Sequence, residues 1–272
     1  MPELPEVETT VRGLAPLLTG ERLAAVVAYR ADLRRPFPAD LGQRLVGARV
    51  TRLTRRAKYG IIHTDRDDAM IFHLGMSGRW RTDGGDPERH DHLLIETGGG
   101  RRLFLHDPRR FGSVDLVTGD PDTSFAPFRL LGPEPLGDQF TAAHLGAAFA
   151  GRSAPVKALL LDQRIVAGLG NIYVCEALNL TGLSPQRAGS SISRAKLIVL
   201  VDAIRAVLDA AIAAGGSTLR DFLSPDGALG YFKNDWRVYG REGEPCPCGR
   251  GETVRRIVQG GRSTFYCPTC QR

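Results

Sequence analysis

The stretch Leu131-Gly-Pro-Glu-Pro-Leu-Gly137 divides this chain, because the residues before it read mainly as strand and those after it mainly as helix. Two prolines and two glycines within seven residues suit neither a continuing helix nor a sheet ladder, so the passage marks a domain boundary. Upstream, residues 22–30, 44–55, 59–65, 69–74, 92–96, 102–106 and 112–117 are short runs rich in Val, Ile and Leu, alternating in places. Gly98-Gly-Gly100 joins two of these runs as a hairpin. No long helical pattern separates them, which predicts an antiparallel sandwich or barrel. The N-terminus is the exception. There Val7, Thr10, Val11, Leu14 and Leu17 recur at helical spacing as far as Gly20, and Pro5 suits a first turn. Downstream, residues 141–149, 156–162, 171–179 and 193–214 carry helical periodicity. Asn171 is expected to cap the third of these helices, and Gly215-Gly216 to stop the fourth. Residues 217–235 read as a loop with Gly227 and Gly230 about its tip, and the tail from Val238 as short strands.

Composition narrows the function classes. The 272 residues suffice for two domains with proper cores. A net charge of +6, from 36 basic and 30 acidic residues, is consistent with a polyanionic partner. Only four of the basic residues are lysines: Lys58, Lys157, Lys196 and Lys233. No apolar run approaches the ~20 residues of a membrane helix, and no charged-then-apolar leader opens the chain. The expectation is a soluble intracellular protein. Four of the five cysteines fall in the last 27 residues, where clustered pairs read better as metal ligands than as disulfides.

Those cysteines are Cys246-Pro-Cys248 and, 18 residues on, Cys267-Pro-Thr-Cys270. Two close pairs joined by a hairpin-length spacer are how a zinc ribbon brings four thiolates to one ion. The segment is too small and polar to hold itself together otherwise, so one structural zinc is expected. Gly260-Gly261 makes the turn and leaves Arg262 at the tip, able to meet a groove or a phosphate, or simply to stay solvated.

Further back, Arg164-Ile-Val-Ala-Gly-Leu-Gly170 joins two short helices by a turn whose amides could meet a phosphate, with Arg152 and Lys157 flanking the first helix. His73-Leu-Gly-Met-Ser-Gly78 and His106-Asp-Pro-Arg-Arg-Phe-Gly112 place Met76, Arg109 and Phe111 in turns between strands. Apolar side chains on tight turns suit a wedge between base pairs, although packing beneath the loops would satisfy the same pattern. Lys58 comes after a basic strand end, where it could reach a phosphate or simply stay solvated. At the start, Met1 precedes a small residue and is expected to be removed. The mature chain then begins with the secondary amine of Pro2, whose α-amino pKa of about 8 leaves a neutral, nucleophilic fraction. Glu3 stands beside it as a candidate proton donor, and the helix dipole favours the neutral amine, although an ordinary N-terminus with a Pro-started helix would satisfy the same residues.

Together these segments resemble the bacterial formamidopyrimidine-DNA glycosylases. The motifs are MPELPEVET at the N-terminus, RRAKYG (55–60), HLGMSG (73–78), RHDH (89–92), DPRRFG (107–112), LGPEPL (131–136), GLGNIY (168–173), GYF (230–232) and the cysteine tail. Leu4, where the related endonuclease VIII has glycine, favours this family. The resemblance implies an α+β protein with an N-terminal antiparallel β-sandwich carrying an N-terminal helix (1–131), a helix–two-turn–helix domain (132–237) and a β-hairpin zinc finger (238–272), with DNA in the cleft between domains. It implies a bifunctional glycosylase and AP lyase that removes 8-oxoguanine and formamidopyrimidines from double-stranded DNA, monomeric and located in the bacterial cytoplasm at the nucleoid.

Residue by residue, the resemblance gives Pro2 as nucleophile, Glu3 as proton donor, and Lys58 and Arg262 as further catalytic residues. It puts His90, Arg109, Arg152 and Asn171 at the DNA, with Met76, Arg109 and Phe111 filling the gap left by an everted nucleotide. It makes Cys246, Cys248, Cys267 and Cys270 the zinc ligands, and 216–232 a lesion-capping loop. The departure is the first cysteine pair, C-x-C where the family has C-x-x-C. Two other readings remain open: an endonuclease VIII-like enzyme for oxidised pyrimidines, and a non-catalytic zinc-ribbon DNA-binding protein, which would leave the Pro-Glu start unexplained.

Overall fold

The structure, a computed structural model, describes residues 2–82, 84–216 and 236–272. In order the elements are α1 (Leu4–Leu18), β1 (Leu23–Ala28), α2 (Leu41–Leu45), β2 (Val50–Arg56), β3 (Tyr59–Thr64), β4 (Asp68–His73), β5 (Arg79–Arg81), β6 (Asp91–Thr97), β7 (Arg102–His106), β8 (Ser113–Thr118), α3 (Pro121–Ser124), α4 (Ala142–Phe149), α5 (Val156–Leu161), α6 (Asn171–Thr181), α7 (Arg194–Ala213), β9 (Arg255–Gln259) and β10 (Arg262–Tyr266). Among the described residues these fall into two compact units. One runs to Arg129 and includes 214–216; the other runs from Leu130 to Ala213 and includes 236–272.

In the first unit two four-stranded antiparallel sheets have the orders β1-β6-β7-β5 and β2-β3-β4-β8. Their inward faces share one core with the buried stripe of α1, where Val7, Val11, Leu14 and Leu18 join Phe72, Trp80, Leu93 and Leu105. The expected sandwich and N-terminal helix are both present. One local expectation needs correction, and two short elements add to those the sequence suggests. Residues 44–49 are not strand, because Leu41 and Leu45, one helical turn apart, bury together as α2 before β2 begins at Val50. β5 is only three residues long and was not anticipated, although buried Trp80 packs edge-to-face on Phe72 at 5.5 Å. The helical turn α3 comes after Asp120, whose carboxylate accepts the Asp122 N–H.

In the second unit the boundary stretch is pinned by α7: the Arg205 guanidinium donates to the carbonyls of Pro135, Gly137 and Phe140 at 3.3, 3.1 and 2.9 Å. Gly132 is required there, since a Cβ would lie 2.6 Å from the Arg164 carbonyl oxygen. α6 is buried on nearly every side, as a central helix should be, and Gly182 ends it in the left-handed conformation. Gly170, rather than Asn171, occupies its N-cap, so Asn171 is the first helical residue and its side chain is freed for other partners. No helix of the described residues is long and apolar enough to cross a membrane.

Candidate active site and nucleic-acid interface

The start of α1 is built with little slack. Glu3 is the N-cap and Glu6 the third helical residue, and they form a reciprocal capping box in which Glu6 accepts the Glu3 N–H at 2.8 Å. Pro2, Glu3 and Glu6 are all buried. The backbone of residue 2 therefore has a fixed direction, at the amino end of a helix dipole that disfavours a positive charge there. One turn on, Glu8 accepts from Arg55 at 2.9 Å, and Arg55 also donates to the Ala57 carbonyl at 2.9 Å. Ala57 takes a positive φ of 53°, and the turn it makes carries Lys58, which is buried rather than solvated. Helix α1 and the turn bearing Lys58 are thus joined through the Glu8–Arg55 pair.

Strand register gathers the next group. Tyr59 pairs with His73, and His73 with Ser113, so the ends of β3, β4 and β8 converge beside Lys58 and the 74–78 and 107–112 turns. They surround a cavity of about 280 Å³ lined by Arg34, Arg35, Tyr59, His73, Phe111 and Ser113. Burial, reinforced by Lys58, Arg34 and Arg35, pushes His73 down to about 4, so the imidazole is neutral near pH 7. Its Nδ1 accepts the Gly75 N–H at 3.0 Å, which leaves the ring proton on Nε2. A neutral donor, a phenol and two guanidiniums around one cavity are suited to an anion. Nearby, Met76 and Phe111 are 37% and 44% exposed, so neither packs beneath its loop. The Arg109 guanidinium lies over the Phe111 ring at 4.9 Å. His90 stands edge-on to His106 at 5.8 Å, and His106 Nδ1 is 2.8 Å from Asp91, whose carboxyl is held down to about 2 despite burial by bonds from His106, Arg81 and the Glu88 amide.

In the second unit Arg152 is exposed in the turn after α4, and its carbonyl accepts the Ser190 N–H. The Asn171 amide donates to the Ser263 carbonyl at 2.8 Å, tying α6 to the hairpin of β9 and β10. Lys157, almost fully buried, reaches the same strand at the Thr264 hydroxyl. Arg262 opens β10 opposite Gln259, across Gly260-Gly261, and is exposed. The sulfurs of Cys246, Cys248, Cys267 and Cys270 lie within 4.8 Å of one another, with Cys246–Cys270 at 3.9 Å and Cys248–Cys267 at 4.0 Å. A tetrahedron with metal–sulfur bonds of about 2.3 Å has edges of about 3.8 Å, so the four can share one metal ion. The short first pair does not prevent the convergence. Cys175, isolated in sequence, packs from α6 into the core beneath this cluster.

The sequence matches the family described as formamidopyrimidine-DNA glycosylase N-terminal domain over residues 1–114, and the H2TH domain of the same glycosylase over 131–223. It is 73% identical to the formamidopyrimidine-DNA glycosylase of Sphingopyxis alaskensis, over the whole of both chains. The chain belongs to the formamidopyrimidine-DNA glycosylase family. Among solved structures, the MutM (Fpg) protein of Thermus thermophilus is similar at 41% identity and a TM-score of 0.90, covering 99% of this chain and 98% of that one. A Lactococcus lactis Fpg mutant in complex with DNA containing Fapy-dG is similar at 33% identity and a TM-score of 0.89, over the whole of both chains.

The residues singled out from the sequence fall into two groups within the family's fold. Pro2, Glu3, Lys58, Met76, His90, Arg109 and Phe111 lie in the first unit; Arg152, Asn171, Arg262 and the four cysteines lie in the second. The part of 216–232 expected to cap the lesion lies, beyond Gly216, outside the described residues. Sequence reading passed over His73, although it begins a motif already noted for Met76; its position directly after a buried apolar run was the available signal. It also passed over Glu176, whose buried carboxylate accepts the N–H groups of Arg237, Val238 and Tyr239 at 2.7–3.0 Å. A lone acid inside an otherwise apolar helix was its signal.

Proposed function

We propose that this member of the family is a bifunctional DNA glycosylase and AP lyase of base-excision repair, acting on 8-oxoguanine and formamidopyrimidines in double-stranded DNA. The observation that carries the reading is Pro2 at the buried, doubly capped start of α1, where a freed amine would be aimed by the backbone itself. The Lactococcus lactis relative crystallised with Fapy-dG DNA supports the substrate class.

A base cannot be attacked within the stack, so the damaged nucleotide is first turned out of the duplex, at a cost of a few kcal/mol. Met76 and Phe111 fill the gap and Arg109 faces the orphaned base. After removal of Met1, the neutral amine of Pro2 attacks C1′, forming an N–C1′ bond as the bond to the base breaks and the base leaves with a proton. Glu3 delivers a proton to the ring oxygen; the sugar opens and the C1′–N linkage becomes an iminium. That cation acidifies the C2′ protons. Loss of one expels the 3′ phosphate, loss of a C4′ proton expels the 5′ phosphate, and water then releases the sugar fragment from Pro2. A one-nucleotide gap with phosphate ends remains. Lys58 and Arg262 hold the flanking phosphates and stabilise charge on the departing oxygens, while His90, Arg152 and Asn171 position the backbone.

The four cysteines hold one zinc ion, which supplies folding energy to the hairpin and no open coordination position for chemistry. The protein works as a monomer in the cytoplasm at the nucleoid, and its functional parts are the catalytic sandwich (1–131), the helix–two-turn–helix domain with its capping loop (132–237) and the zinc finger (238–272).

The test is borohydride trapping on duplexes carrying 8-oxoguanine, a formamidopyrimidine or thymine glycol, with mass spectrometry of the mature N-terminus. Wild type should give a covalent adduct with the purine lesions, and wild type whose N-terminal amine has been acetylated should not, because Pro2 then has no free amine to attack C1′. Equal trapping by the acetylated protein removes the Pro2 amine as nucleophile, and preference for thymine glycol selects the endonuclease VIII-like reading. Retained Met1 with no adduct selects a non-catalytic DNA-binding protein.

A further inference from the structure

Met76 lies on the turn after β4, and Arg109 and Phe111 on the turn before β8, some thirty residues apart in sequence. What joins the two turns is a buried polar clasp. Ser77 donates its hydroxyl to Asp107 Oδ1 at 2.7 Å, Gly112 donates its N–H to Asp107 Oδ2 at 2.8 Å, and Arg109 donates its N–H to the Ser77 oxygen at 3.3 Å. Asp107 is wholly buried and Ser77 nearly so. The Asp107 backbone is fixed as well, its N–H on the His90 carbonyl and its carbonyl on His92 Nε2, both at 2.9 Å. The turns also touch directly: Gly75, at φ +62°, lies so close that a Cβ would be 2.3 Å from the Phe111 carbonyl carbon. Arg110 takes a positive φ of 58°, which folds the second turn back so that its side chains leave on the exposed side.

We infer that Ser77 and Asp107 are positioning residues that lock the Met76 and Arg109–Phe111 turns together before DNA arrives, so that the three side chains enter the duplex as one rigid wedge. The inference rests on the proposed reading of the protein as a base-everting glycosylase. Both carboxylate oxygens of Asp107 are occupied by protein donors, and the residue has no surface to offer a substrate, so it does not act on DNA itself. A buried carboxylate holding a hydroxyl and an amide makes shorter, stiffer bonds than a neutral acceptor would. Unclasped, the exposed Met76 and Phe111 would order only on binding, and that ordering would oppose eversion.

The clasp should therefore matter where a base pair must be opened and matter little where none exists. Ser77→Ala removes the bond between the turns at small change in volume, and Asp107→Asn presents an amide N–H₂ to the Ser77 hydroxyl in place of an acceptor. Each variant is compared with wild type on an 8-oxoguanine duplex and on a single-stranded oligonucleotide carrying an abasic aldehyde, which needs no eversion. For Ser77→Ala, kcat/KM on the duplex should fall about tenfold, as expected for one lost buried bond to a charged group, and for Asp107→Asn, whose amide can still donate to the Ser77 oxygen, by less, with single-strand cleavage within about twofold of wild type for both. Equal losses on both substrates would mean a general structural role, and no loss on the duplex would mean the turns hold their places unaided; either overturns the inference. Wild type inactive on both substrates would instead overturn the glycosylase reading, and the wedge with it.

Discussion

His73 offers a quantitative check on the cavity lined by Arg34, Arg35 and Tyr59, because its proton is tied to both local geometry and stability. In the unfolded chain an imidazole titrates near 6.5, whereas burial beside Lys58, Arg34 and Arg35 holds this one at about 4. Between those values the unfolded state binds the proton and the folded state does not, so stability rises with pH across the window. The contribution is fully present above pH 6.5 and is lost as the pH falls towards 4. At pH 5 the two pKa values give a loss of about 2 kcal/mol relative to pH 7. Protonation also removes the lone pair that accepts the Gly75 N–H, so the same titration loosens the turn carrying Met76. The perturbation is His73→Gln, which keeps an acceptor for Gly75 and cannot titrate. Urea unfolding of both proteins at pH 7 and pH 5 isolates the effect, since other groups titrate in both. Wild type should lose about 2 kcal/mol more than the variant over that interval. Parallel losses, or a His73 imidazole resonance, assigned by its loss in the variant, titrating near 6.5 by NMR, would refute the placement of His73 among cations and out of water.

Two further outcomes test the second unit. Arg262→Ala should keep the fold, since the side chain is exposed, and lose turnover on the order of a hundredfold if the guanidinium stabilises departing phosphate; normal turnover would remove it from the mechanism. A chelator strong enough to compete for four thiolates should release one equivalent of zinc per chain, measured colorimetrically, and unfold the β9–β10 hairpin with loss of DNA binding, because structural zinc supplies roughly 10–16 kcal/mol in such segments. Hairpin amides that stay protected from hydrogen exchange after metal loss would show that the core of Cys175, Val238 and Val254 suffices by itself.

How much of this was legible in the sequence depends on the range of the interactions. The helix at the N-terminus, the Gly260-Gly261 turn and the paired cysteines were readable because a helical stripe, a tight turn and a chelating pair are each decided within a few residues. β5 was not, since three residues carry no usable period and Trp80 is held by Phe72 on the other sheet. Asn171 was misplaced by one residue because Gly170 satisfies the extended N-cap conformation itself, and the consequence is chemical: the amide that would have capped its own helix instead holds the Ser263 carbonyl beside Arg262. The same division runs through the candidate site. Met76, Arg109 and Phe111 stood out as apolar and basic side chains on turns, but the partners that aim them did not. Ser77 and Asp107 are an ordinary serine and an ordinary aspartate until the strands bring them to 2.7 Å. Groups that meet a substrate can be recognised by their chemistry alone. Those that aim them have chemistry in common with any buried hydrogen bond, and only the fold distinguishes them.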